Sequence, residues 1–219
     1  MSSSFIVLRL EESGFTFNDC LSLIKEAFSE YLSEGLHYPC LDYTLESYIE
    51  HMRNHLIWVV EDLLSNTLVG VCSIVILSDG KYSYALEHHA AVSPDYKRKG
   101  IGSMMKEVIS SYAKDKCEYM LATTAENATG AINWHKKNGY HIIRYASYSD
   151  TNYYSVVMRK QLGDHQKRYN NEMYCKVISC FSFLKVKLSK KADGSYTKFG
   201  SYVHSLIVFI LSKCIKQDN

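Results

Sequence analysis

Ala90-Ala91-Val92-Ser93-Pro94-Asp95-Tyr96-Lys97-Arg98-Lys99-Gly100-Ile101-Gly102-Ser103 is an apolar strand end that runs through a basic turn into the start of a helix. Gly100 and Gly102 remove side chains where a ligand can approach the backbone. The first amides of a helix have no intrahelical acceptor, and the helix dipole favours negative charge beside them. Lys97, Arg98 and Lys99 add cationic side chains. The stretch therefore reads as a cradle for a pyrophosphate, placed directly after a strand. Two common nucleotide patterns do not fit it. The fingerprint G-x-G-x-x-G needs a third glycine where Met105 stands, and the Walker A pattern needs Lys-Ser/Thr where Ser103-Met104 follows.

Hydrophobic periodicity extends this reading in both directions. Phe5 to Leu10 is a short apolar strand, and Asn18 or Thr16 can cap a helix through about Ser33, broken by Gly35 and Pro39. Thr44 opens a second helix through about His55, with Leu45, Tyr48, Ile49 and Met52 on its inward face. Strands are predicted at Leu56–Glu61, Leu68–Leu77 and Ser83–Val92, with Asp79-Gly80 as a hairpin turn. A helix from Gly100 to Lys114 follows, with Ile101, Met104, Met105, Val108, Ile109 and Tyr112 inward. Then come a strand at Tyr119–Thr124, a helix at Thr129–Asn138 and strands at about 141–149 and 152–160. The order is β-α-α-β-β-β-α-β-α-β-β.

A second block, Ala131-Ile132-Asn133-Trp134-His135-Lys136-Lys137-Asn138-Gly139-Tyr140, ends in a helix-terminating glycine. Together with Lys97-Arg98-Lys99-Gly100-Ile101-Gly102 it resembles the GCN5-related N-acetyltransferase (GNAT) family over roughly residues 5–162. The resemblance implies an α/β (α+β) fold with a mixed, mostly antiparallel sheet and helices on both faces. It also implies acetyl-CoA as cosubstrate and transfer of its acetyl group to a primary amine of a small molecule or peptide. The turn Lys97, Arg98, Lys99, Gly100, Ile101, Gly102 and Ser103 would then hold the pyrophosphate. The backbone of Ala90, Ala91 and Val92 would pair with the pantetheine arm, and Asn127 would contact that arm or the pyrophosphate. His135 stands where the family often has a Tyr that protonates the departing thiolate. An imidazole can donate that proton or make a plain hydrogen bond to the cofactor.

The chemistry asks for more. An acceptor ammonium, with a pKa around 10, must lose a proton before it attacks. Glu87, on the strand before the cradle, is the candidate base, directly or through a water. His88 and His89 follow it, and strand alternation sends them to opposite faces, so one of them can share the site and replace Glu87. Trp134 is expected in the core. The acceptor pocket is expected from the loops at 33–43 and 147–152, which carry Glu34, Asp42 and Asp150. The replacement of Tyr by His135 leaves a second function class open: an acyl-CoA-binding or interaction module without catalysis.

Composition bounds the rest. The 219 residues are 47% hydrophobic and 22% charged, ordinary for a globular chain. Seven cysteines form no C-x-x-C pair, and the N-terminus has neither a basic nor an apolar signal region. Reduced thiols, a cytoplasmic location and no membrane span are expected. No metal site is expected either: His51 and His55 share a helical face, but no H-E-x-x-H Glu stands between them, and a solvated face explains the pair. Residues 1–162 carry a net charge of −4 and residues 163–219 a net of +6. The division is thus a 1–162 acetyltransferase domain and a basic 163–219 extension. An apolar stripe through Ile178, Phe181 and Leu188 and the run Leu206–Leu211 predict an extension that is helical and packed on the domain or on a second subunit, as a homodimer. No nucleic-acid-binding motif is present.

Overall fold

A computed structural model describes residues 4–80 and 82–162. The extension 163–219, and every expectation about it, lies outside the described residues. Within them the strands are β1 (Phe5–Arg9), β2 (Leu56–Asp62), β3 (Thr67–Ser78), β4 (Ser83–Val92), β5 (Tyr119–Ala125), β6 (His141–Ser147) and β7 (Tyr154–Gln161). The helices are α1 (Phe17–Ser29), α2 (Leu45–Met52), α3 (Ile101–Lys114) and α4 (Thr129–Lys137). The predicted order of elements is the observed one.

Local chemistry accounts for the boundaries. Thr16 caps α1 by accepting from the Asp19 amide, and the Asp19 carboxylate accepts from the Thr16 amide in return. α1 gives way to a short 3-10 turn at Glu30–Glu34, which ends at Gly35 with φ +73°. That is four residues earlier than the periodicity predicts, because the tighter turn keeps the same apolar spacing. Thr44 caps α2 at the Ser47 amide. The helix stops at Met52, and Ile49 faces solvent rather than the core.

The sheet order is β1-β2-β3-β4-β5-β7-β6, antiparallel throughout except for β4 and β5. Its two faces bury different cores. Trp58, Val60 and Ile74 meet Ile101, Met105 and Ile109 of α3, whereas Ile57, Val59 and Val71 meet Leu21, Ile24, Tyr48 and Met52 of α1 and α2. Alternation along β2 divides its residues between these layers.

Two irregularities of β4 shape the site. Its parallel pairing with β5 covers only Tyr84–Leu86 against Tyr119–Leu121, after which the strands part. Its register against β3 also shifts: Ser73 faces His88 and Val71 faces Ala91, so three steps on β4 match two on β3. This is a β-bulge, and His89 adopts φ +49° within it. The bulge corrects the alternation expected for the two histidines. His88 and His89 both turn to the α2 face, with ring centroids 5.8 Å apart, while Glu87 faces α3.

Candidate active site

Where β4 and β5 separate, a cleft of about 750 Å³ opens between them. The bulged half of β4 from Glu87 to Val92 lines one wall and Ala122, Thr123 and Thr124 of β5 the other. Phe28 at the end of α1, Glu30 and Tyr31 of the 3-10 turn after it, and Tyr38 add an aromatic side. The glycine turn and α4 complete it.

At the turn, Arg98 has φ +64° and Gly100 φ +86°. The first amides bonded back to the turn are those of Ser103 and Met104, both to the Gly100 carbonyl, at 3.0 and 3.1 Å. The amides from Arg98 to Gly102 make no hydrogen bond to any described residue. Such a run of free amides in a turn of positive and negative φ is an anion-binding concavity. A Cβ on Gly100 would meet nothing within 4 Å, so its constraint is conformational. A Cβ on Gly102 would meet the Trp134 indole nitrogen at 3.0 Å, so this glycine also lets α4 pack against α3. Lys97 pairs with Glu30 across the cleft. Lys99 instead lies over the Tyr96 ring at 4.1 Å and does not line the cleft. Asn127 is exposed in the turn before α4, where its carbonyl accepts from the Thr129 amide, and it does not line the cleft either.

Beneath the β4 wall lies a buried polar group that connects Glu87 to His135. Lys106 of α3 is 1% exposed and forms an ion pair with Glu87, whose two oxygens both accept from it. The Tyr140 hydroxyl donates to Glu87 Oε2 at 3.0 Å. Lys106 Nζ is 3.2 Å from His135 Nδ1 and lies 4.4 Å from the ring centroids of both Trp134 and Tyr140. Burial pushes the Glu87 carboxyl up, but Lys106, His135 and the bonds from Lys106 and Tyr140 outweigh it and leave its pKa below the ordinary value. Burial also lowers the Lys106 ammonium, against the pull of Glu87. His135 is brought to about 4 by burial and by Lys106, so its imidazole is neutral at neutral pH. An ammonium has only donors, so Nδ1 accepts from Lys106 and the ring proton sits on Nε2.

Lys106 was not evident from the sequence. It sits one residue after Met105 on a helix whose apolar stripe is Ile101, Met105, Ile109 and Ala113, and its place four residues after Gly102 is the only sign that it faces α4. The acceptor loops also differ from expectation. Of their residues Tyr38 lines the cleft, but Glu34, Asp42 and Asp150 do not. Asn152 instead ties the loops together, accepting from the His37 amide at 3.0 Å and donating to the Gly35 carbonyl at 2.9 Å. Tyr38 packs on Tyr153, and its hydroxyl is 3.2 Å from Thr124 Oγ1.

A mixed sheet whose fourth and fifth strands part above a two-glycine helix start is the arrangement that the family resemblance implies. Residues 18–140 match the acetyltransferase (GNAT) family. The chain belongs to that family. It is accordingly an acetyl-CoA-dependent acyltransferase. No curated protein matches the chain. Among solved structures it is similar to a GNAT acetyltransferase from Streptococcus pneumoniae (14% identity over 73% of this chain and 99% of that one, TM-score 0.53). It is also similar to the ribosomal-protein-S18-alanine N-acetyltransferase of Escherichia coli (13%, 73% and 94%, TM-score 0.54) and to Ard1 of Thermoplasma volcanium (18%, 74% and 100%, TM-score 0.55). At these identities the likeness is one of fold.

On the α2 face of β4 the bulge collects histidines, two of which, His88 and His89, also line the GNAT cleft. His51 of α2 and His55, just beyond it, stack with centroids 5.4 Å apart. His88 lies 4.8 Å from His55 and 5.4 Å from His51. His89 is 5.4 Å from His51 and 5.8 Å from Tyr43. Burial first, and the neighbouring imidazoles second, lower His55 and His88 to about 4 and His89 to about 3. The expectation of a solvated face thus holds for His51, which is exposed, but not for His55, which is half-buried. Among the described residues no helix is long and apolar enough to cross a membrane.

Proposed function

We propose that this acyltransferase moves the acetyl group of acetyl-CoA directly to a primary amine carried on a small molecule or a peptide. The observation that carries the proposal is the cleft between the parted strands, with the free amides of the Arg98–Gly102 turn on its lining. In this reading the Lys97–Ser103 turn takes the pyrophosphate on backbone amides, with Lys97 and Arg98 adding charge. The pantetheine arm pairs with the backbone of Ala90, Ala91 and Val92, the edge of β4 that β5 leaves free. Lys99 and Asn127 stand outside the cleft lining.

Direct transfer is supported by the state of the cysteines. The four described ones are buried and free, and burial raises the pKa of each, to about 12 for Cys20 and Cys40. A buried thiol held protonated is a poor nucleophile. Their reduced state also favours a cytoplasmic location. The free amine attacks the thioester carbonyl, a C–N bond forms, the nitrogen gives up its extra proton to solvent at the mouth of the cleft, and the C–S bond breaks. The departing thiolate takes the Nε2 proton of His135 while Nδ1 takes one from Lys106, so charge does not accumulate on the ring. A neutral imidazole is a weak acid by itself, and the Lys106 proton behind it makes it a relay. Glu87, with both oxygens engaged, holds Lys106 in place and is assigned to that role before that of a free base.

Thiol release over a panel of small amines, amino acids, polyamines, aminoglycosides and peptides tests the reaction. His135→Phe should lower kcat at least tenfold and leave the acetyl-CoA Kd within about twofold. A loss of cofactor affinity with kcat intact would make His135 a cofactor contact. Unchanged turnover would remove it from the mechanism.

A further inference from the structure

We propose that His51, His55 and His88 form a binding site for a zinc-class divalent metal ion, with His89 available as a further ligand. One ligand nitrogen from each of the three lies within 4.8 Å of the other two. On a single zinc, with Zn–N near 2.0–2.1 Å, tetrahedral ligands stand roughly 3.3 Å apart. Small rotations about the side-chain torsions close that difference. His51 and His55 sit one helical turn apart on one face, a spacing that places two imidazoles on one ion. The His55 amide bonds back to the Met52 carbonyl at 2.9 Å, which holds His55 in line with the helix.

The argument turns on unmet nitrogens. Both His55 ring nitrogens and Nδ1 of His89 are buried without a hydrogen-bond partner among the described residues. The His51 carbonyl is near enough to raise the His55 pKa slightly, yet it does not meet hydrogen-bond geometry. A buried imidazole normally satisfies both nitrogens, and a metal ion satisfies a lone pair that a protein donor does not reach. The backbone agrees. The bulge turns His88 and His89 to the same face and holds His89 at φ +49°, a conformation that non-glycine residues rarely adopt. Three imidazoles without a carboxylate or thiolate suit Zn²⁺, Ni²⁺ or Cu²⁺ rather than Mg²⁺ or Ca²⁺. An ion here would tie α2 to the segment of β4 that walls the cleft. The Lys106–His135 group lies on the other face of the sheet, while His88 and His89 also line the cleft, so the site borders the cleft without sharing a residue with that group.

Full-length protein stripped with a chelator is titrated with Zn²⁺ by calorimetry and with Co²⁺ by visible absorption. The expected result is one equivalent of Zn²⁺ at micromolar Kd or tighter, four-coordinate cobalt bands, and no binding of Mg²⁺. Zinc should raise Tm by about 5 °C or more at a hundredfold excess over Kd. His55→Gln and His88→Gln should each weaken zinc binding at least tenfold, and His141→Gln, an exposed histidine of β6, should leave it unchanged. Should the buried variants fail to fold, the exposed His51→Gln decides, with the same tenfold loss expected. Absence of saturable binding, or equal affinity in His51→Gln and the wild type, would overturn the proposal.

Discussion

At the scale of single residues, the decisive group is the buried Lys106. A lysine that is 1% exposed is stable as an ammonium only while Glu87 answers it. Removing one partner strands the other charge, so Lys106→Met is expected to destabilise the protein by about 3–5 kcal/mol in denaturant melts. Lys106→Met combined with Glu87→Leu should recover most of that stability, because an apolar pair of similar volume avoids desolvation altogether. Turnover should not recover with it, since the relay behind His135 is then absent. Recovery of turnover would show that the group is only structural. His135 makes a second prediction through its pKa. The unfolded chain binds a proton there near pH 6.5, the folded chain only near 4. Between those values the unfolded state holds more protons, so stability is fully present above about 6.5 and falls as pH drops toward 4. The size is about 2–4 kcal/mol, and His135→Phe should make that part of the Tm–pH curve less steep, with His55, His88 and His89 supplying the slope that remains.

At the scale of elements, the glycine turn and the β4 bulge behave differently under sequence reading. The turn was legible because its signals are local: two glycines, three cations and a helix start. Strand and helix order was legible for the same reason, with Ser83–Val92 matching to the residue. The bulge was not legible. Glu87-His88-His89-Ala90 carries no glycine and no turn residue, and only pairing with β3 reveals the extra residue. The alternation rule therefore misassigned one histidine, and the histidine cluster stayed hidden. Lys106 was missed because a stripe is read from its apolar members. The second function of Gly102 was hidden too, since it depends on Trp134 some thirty residues away. That contact predicts that Gly102→Ala lowers stability by about 1–3 kcal/mol through overpacking. Trp134→Phe in the same chain should restore part of it, and an additive loss would place the strain elsewhere.

At the scale of the whole molecule, the described sheet ends with β7, and Leu162 follows it directly. That residue is buried, and its amide bonds to the Glu118 carbonyl at 2.9 Å, closing the core beside β5. A chain ending there is accordingly expected to melt cooperatively and to bind acetyl-CoA as the full chain does, which sedimentation and thermal melts can check. A shorter chain that failed to bind would contradict the expected 1–162 acetyltransferase domain. The central claim is that the β4–β5 cleft holds acetyl-CoA with its pyrophosphate on the glycine turn, and calorimetry tests it most directly. Gly100→Asn is the variant of choice. Asn tolerates the left-handed backbone, and its side chain would enter space that is open beside Gly100. The predicted result is a single acetyl-CoA site in the wild type, weakened at least tenfold in Gly100→Asn with Tm nearly unchanged. No binding to the wild type at millimolar acetyl-CoA, or equal affinity in the two proteins, would contradict it.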